Sequence, residues 1–156
     1  MAYNRNAAIA YARRWAYGRN PAYYNFDGIG GDCTNFASQC VFAGAGVMNY
    51  QPVSGWYYRS LSSRSPSWSG VPYFYNFMTT NKGQGPYGVL SSEENILPGD
   101  LVQLGGADGR FYHTLLIIST ENGIRVAAHT FDVWDKALAS YHYYAKRFIH
   151  IEGVRA

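Results

Sequence analysis

Alanine and aromatic residues recur at helical spacing from the start of the chain. Ala8, Tyr11, Ala12, Trp15 and Ala16 share one face of a helix predicted over residues 4–17. Gly18 stands where a C′ glycine ends a helix, and Pro21 follows it. Residues 21–31 mix aromatics with glycines and read as a loop. A second apolar run opens at Cys33 and ends at the Gly44-Ala45-Gly46 punctuation. Residues 47–68 are rich in serine and aromatics, show no period, and read as a long connection. Residues 69–80 fit a third helix, with Pro72 tolerated in its first turn. Gly83, Gly85, Pro86 and Gly88 mark residues 81–98 as a further loop.

The second half changes period. Residues 100–104 form a short apolar strand after Pro98-Gly99, and residues 105–109 a turn. Residues 111–120 carry Leu115-Leu116-Ile117-Ile118, a buried strand pattern. Asn122-Gly123 suits a tight type I′ hairpin turn, so residues 124–130 return as the partner strand. Residues 147–152 supply a last strand. Helices first and an antiparallel sheet afterwards is an α+β arrangement, with N-terminal helices packed on a small sheet. No repeat, low-complexity tract or linker divides the chain, so residues 1–156 are expected to form a single domain.

Composition narrows the class. Hydrophobic residues make up 47% and charged ones 15%, which describes a globular core and not a disordered chain. The net charge of +3 is scattered, with no basic arm or stripe, so no nucleic-acid partner is expected. It fits attraction to an anionic polymer such as a cell wall. No run approaches the ~20 apolar residues of a membrane span. Residues 1–5 lack the basic start and apolar core of a signal peptide. The 15 tyrosines are the unusual feature. Tyr23 and Tyr24, Trp56, Tyr57 and Tyr58, and the cluster from Tyr141 to Tyr144, with Trp68 and Tyr112, are candidates to line a groove for sugar or peptide.

Cys33 carries the clearest chemistry. It follows Gly30-Gly31-Asp32 and opens the second helix. The unsatisfied N–H groups and positive macrodipole of a helix start favour a thiolate, the form that attacks a carbonyl. Cys33 and Cys40 lie seven residues apart, about 10 Å along a helix. That exceeds the roughly 7 Å a disulfide spans, so two free thiols are expected, with Cys40 an inert core residue. His113 and His129 fall on the two strands of the predicted hairpin. If they share a face under Cys33, the three supply nucleophile, base and orienting group. The Cys33 N–H and the Tyr24 hydroxyl are candidate oxyanion donors. No Cys-x-x-Cys, His-Glu-x-x-His or close His pair appears, so neither a metal nor another cofactor is expected.

These residues are similar to those of the bacterial putative amidase domain family, within the papain-like superfamily that includes the NlpC-type and CHAP cell-wall hydrolases. The resemblance rests on Tyr3-Asn4-Arg5 with Trp15-Ala16, Asn20-Pro21, Gly31-Asp32-Cys33-Thr34-Asn35-Phe36 and Trp56-Tyr57-Tyr58. It continues through Pro98-Gly99-Asp100-Leu101-Val102-Gln103 before His113, His129-Thr130 with Asp132, and Phe148-Ile149-His150-Ile151. It implies a papain-like fold with Cys33 as nucleophile, His113 as base, and His129 or Asp132 as the third residue. Asp32 would brace the turn or tune the thiolate. The implied activity is hydrolysis of an amide in peptidoglycan or a related peptide, through a thioester acyl-enzyme, by a monomer at or outside the cell wall. Two alternatives stand beside it: a wall-binding module without catalysis, and acyl transfer on the same Cys-His site.

Overall fold

A computed structural model describes residues 1–156. It is an α+β molecule built on a six-stranded antiparallel sheet. Helix α1 (Arg5–Trp15) starts at Asn4, whose side chain accepts from the Ala7 N–H. That bond satisfies one of the orphan donors of the first turn. Helix α2 (Cys33–Ala45) is buried along nearly its whole length and ends at Gly46, which takes φ 75°. Two short strands, β1 (Tyr58–Ser60) and β2 (Ser63–Arg64), pair with each other. The short α3 (Pro66–Ser69) packs on α2 and α4, and α4 (Val71–Thr80) covers the sheet with α1 and α2. Strand β3 (Gly85–Ser91) comes next, followed by β4 (Leu101–Gly105), β5 (Phe111–Ser119), β6 (Arg125–Ala128), β7 (Val133–Ala137) and β8 (Ala145–Arg155). The order across the sheet is β3-β8-β4-β5-β6-β7.

The sheet separates two apolar clusters. Leu101, Leu116, Ala127, Ile149 and Ile151 pack against Ala8, Ala12, Phe36, Cys40, Trp56, Trp68 and Phe74 of the helical layer. Val102, Leu104, Leu115, Ile117, Val126 and Phe148 form the second cluster with Ile96 and Leu138. Alternation along β4, β5 and β6 assigns each side chain to one of these faces. Asp100, fully buried, fastens α1 to the sheet. Its carboxylate accepts from Arg5 at 2.7 Å, from the Ile151 N–H at 2.9 Å and from the Leu97 N–H at 2.8 Å. His150 Nδ1 lies 2.7 Å away on the same carboxylate. Gly99 takes φ 94° and lies against Arg5, where a Cβ would sit 3.1 Å from the arginine stem. Proline-glycine-aspartate before β4 is therefore a docking turn for the first helix.

Several elements depart from the sequence expectation. The connection over 47–68 contains the β1–β2 pair and α3. The expected helix over 69–80 is two helices, broken at Gly70, which is extended at φ −111°, ψ 127°. Residues 85–91, read as loop, are edge strand β3; Pro86 needs no ladder N–H at its place there. Strand β7 was not foreseen, and β8 runs longer than residues 147–152. Cys33 and Cys40 are both free, as their spacing requires. No helix is long and apolar enough to cross a membrane.

Candidate active site

The turn before α2 is built around Asp32. Gly30 and Gly31 take φ 78° and 96°, values open to glycine, and so deliver the chain into the helix. The Asp32 carboxylate, fully buried, accepts from the Phe26 N–H at 2.9 Å and from Asn35 Nδ2 at 2.9 Å. His129 Nδ1 bonds its second oxygen. Burial raises the Asp32 carboxyl, but the bonds from His129, Phe26 and Asn35 outweigh it and hold the group below its ordinary range. Arg19 closes the network from outside. It donates to both Asp132 oxygens at 2.9 and 3.0 Å and to both Asp27 oxygens at 3.1 and 2.9 Å. The nucleophile candidate thus sits on a braced turn.

Cys33 follows, 6% exposed. At the first position of α2 its own N–H has no intrahelical acceptor. Thr34 lies beside it, with Sγ 3.7 Å from Thr34 Oγ1. Thr34 Oγ1 in turn meets Thr114 Oγ1 of β5 at 3.0 Å, which fixes the helix start against the strand. Burial pushes the Cys33 thiol up, and the Thr114 N–H, the Thr34 hydroxyl and the Thr34 N–H only partly offset it. This corrects the expected thiolate: desolvation outweighs the helix terminus in a site this closed.

His113 is one residue before Thr114 on β5 and opens with Cys33 into one cavity of about 350 Å³. Burial, and secondarily the Lys136 charge, lower His113 from 6.5 to about 4. Both groups therefore rest neutral, a thiol and an imidazole lining one cavity.

The two histidines do not share a face. Leu116 pairs with Ala127 and Ile117 with Val126. That register sets His113 on the face of Leu115 and Ile117, and His129 on the helical face with Ala127. A bulge between Ile117 and Ser119 removes the regular two-residue hairpin at Asn122-Gly123. Both ring nitrogens of His129 are taken, Nδ1 by Asp32 and Nε2 by the Trp15 carbonyl at 2.8 Å. Its ring stacks on Phe36 at 3.9 Å. Asp132 is turned to Arg19 and does not line the cavity. Neither His129 nor Asp132 orients His113, which has no side-chain hydrogen-bond partner. The closest ring is that of Tyr141, 6.1 Å away between centroids.

The aromatic candidates divide sharply. Trp56 and Trp68 are core residues with no exposed surface. Their indole N–H groups donate to Ser38 Oγ at 3.0 Å and Asn35 Oδ1 at 2.9 Å. Tyr23 packs between Tyr58 and Trp68, and Tyr57 lies against Tyr50. Tyr24 places its N–H on the Tyr58 hydroxyl and its ring on Phe26, away from Cys33. None of these five lines the Cys33 cavity; Tyr112 does.

The cavity also holds Leu104, Thr130, Phe131 and Lys136, which sequence reasoning passed over, and Tyr141 of the tyrosine cluster at residues 141–144. Thr130 and Phe131 take φ 63° and 57°, an unusual consecutive pair for non-glycine residues. A second hollow of about 430 Å³ also borders Cys33 and includes Ser69, Gly70, Asp108 and Arg110. Gly30, Gly31, Cys33 and Tyr112 border both hollows, so Cys33 stands where two arms of one cleft meet. No three His, Cys, Asp or Glu side chains converge as metal ligands.

The model of the putative amidase domain family matches residues 2–152. The chain belongs to that family. It is also 38% identical over 136 residues to the uncharacterized protein YhbB of Bacillus subtilis (strain 168). That match takes in 83% of this chain and 42% of the relative, so the chain spans less than half of that protein's length. No solved structure matches the chain.

Proposed function

We propose that the protein is a cysteine-dependent amide hydrolase of papain-like design, with Cys33 as nucleophile and His113 as general base. The observation that carries this reading is the pairing of a helix-start cysteine and a strand histidine in one cavity, in a chain of an amidase family. His113 takes the Cys33 proton as the sulfur attacks the amide carbonyl, forming the S–C bond. The Cys33 N–H, free of any helical acceptor, stabilises the oxyanion. The C–N bond then breaks, and the same proton passes from His113 to the departing amine. Water, deprotonated by His113, hydrolyses the thioester, releasing a carboxylic acid and restoring the thiol. Because the pair rests neutral, the thiolate arises with the attack instead of preceding it.

The proposed substrate is a peptide amide of the cell wall, at or outside the cell surface. The sequence resemblance to wall hydrolases and the mild positive charge support this. The test incubates wall peptides with wild type, Cys33→Ala and His113→Ala, and measures released amine. Turnover lost in both variants, with unchanged circular dichroism, is the expected result; turnover kept in either refutes the assignment.

A further inference from the structure

Chemistry gives the two arms of the cleft different occupants. The imidazole that protonates the departing nitrogen must stand beside it, so the arm holding His113 takes the amine half of the substrate. This arm is walled by Leu104, Tyr112, Phe131 and Tyr141. Phe131 is 91% exposed and held at its rim by a left-handed backbone, a conformation that costs energy and gains no packing in the free protein.

A single formal charge enters this apolar arm, the ammonium of Lys136 on β7. Lys136 is half-buried and makes no ion pair. Its Nζ lies 4.2 Å from the centroid of the Tyr141 ring. No carboxylate lines the arm. Lysines elsewhere in contact with aromatics behave differently: Lys146, over Tyr143, also pairs with Glu93 at 3.0 Å. The other arm carries both signs, Asp108 and Arg110.

Resting on the hydrolase reading above, we propose that the His113 arm is the leaving-group subsite and that Lys136 selects amides whose amine half is an apolar residue bearing a carboxylate. The ammonium neutralises that carboxylate, and the aromatic walls cover the apolar side chain. The amine product is then an amino acid or peptide with its carboxylate close to the released nitrogen.

Cys33 itself supplies the test. Its alkylation by bromoacetyl-leucine, which bears a free carboxylate, is compared with alkylation by neutral bromoacetyl-leucinamide. Each rate is normalised to that of a free cysteine derivative. Wild type should favour the carboxylate probe by about two- to fivefold, the range for one partly exposed ion pair. The preference should shrink with added salt, vanish in Lys136→Met and persist in Lys136→Arg. The ratio cancels any general change in thiol reactivity. A ratio near one in wild type, or one unaltered in Lys136→Met, overturns the proposal. Failure of the hydrolase reading looks different: the charge preference remains while no amide is turned over.

Discussion

Protonating His113 should cost the fold more than protonating an ordinary surface histidine. The ring is 9% exposed, lies next to Lys136, and is lowered from 6.5 to about 4. Its neutral form is the one the fold holds. The stability it contributes is therefore fully present above the unfolded value of 6.5. It is lost as pH falls towards 4, where the folded protein also takes up the proton. At about 1.4 kcal/mol per pH unit, the loss between pH 7 and pH 4 is about 3 kcal/mol. Other groups titrate in the same window, so the comparison is with His113→Gln, which keeps a polar side chain and removes the titration. Urea unfolding followed by tryptophan fluorescence, at pH 7 and at pH 4, gives both free energies. Wild type should lose about 3 kcal/mol more than the variant over that interval. Equal losses in the two proteins would refute the argument, because His113 would then be as well solvated in the fold as in the unfolded chain.

Two further outcomes follow from the braced turn and the strained rim. Asp32→Ala leaves His129, the Phe26 N–H and Asn35 without their shared acceptor. It should destabilise by about 3–5 kcal/mol, the cost of leaving several buried donors unsatisfied at about 1–3 kcal/mol each, and lower Tm by roughly 10 °C in a thermal melt; a shift under a few degrees would deny the turn its role. Phe131→Gly relieves a left-handed backbone and removes a side chain that is 91% exposed. Urea unfolding should show it stabilised by about 1 kcal/mol, and a destabilised variant would mean that Phe131 packs in solution.

The sequence made the helical half of the site legible because the signals there are local. Ala8, Ala12 and Ala16 repeat on one face, and glycines before Cys33 announce a helix start whatever lies across from it. His113 was legible as well, since Leu115 to Ile118 could hardly be anything except a buried strand. What the sequence hid depends on relations between distant segments. The pairing of Leu116 with Ala127 decides which face His129 takes, and that register is not written in either strand alone. Residues 85–91 form a strand through pairing with β8, although glycines and a proline there argue locally for loop. Lys136 enters the cavity because β7 is added to the sheet edge, and its own sequence surroundings carry no mark of this. The expected thiolate failed for a related reason: helix position is written in the sequence, but burial of the sulfur is a property of the assembled molecule.

The place of β8 in the sheet has a consequence for the order in which the molecule is made. It is the strand synthesised last of the eight, yet it lies between β3 and β4 and pairs with both. Until its residues leave the ribosome, β3 and β4 have no common neighbour and the sheet stands open at its middle. Leu101 and Val102 then lack the flanking Phe148 and Ile149 with which they pair. The nascent chain must carry an incomplete core through this interval, exposed to chaperones and to association with other chains. Pairing between β3 and β8 joins residues more than fifty positions apart, a contact that forms slowly. The helix that begins at Cys33 is thus made long before the strands that shape its cavity, and His113 and Lys136 join it there only once β5 and β7 have been added.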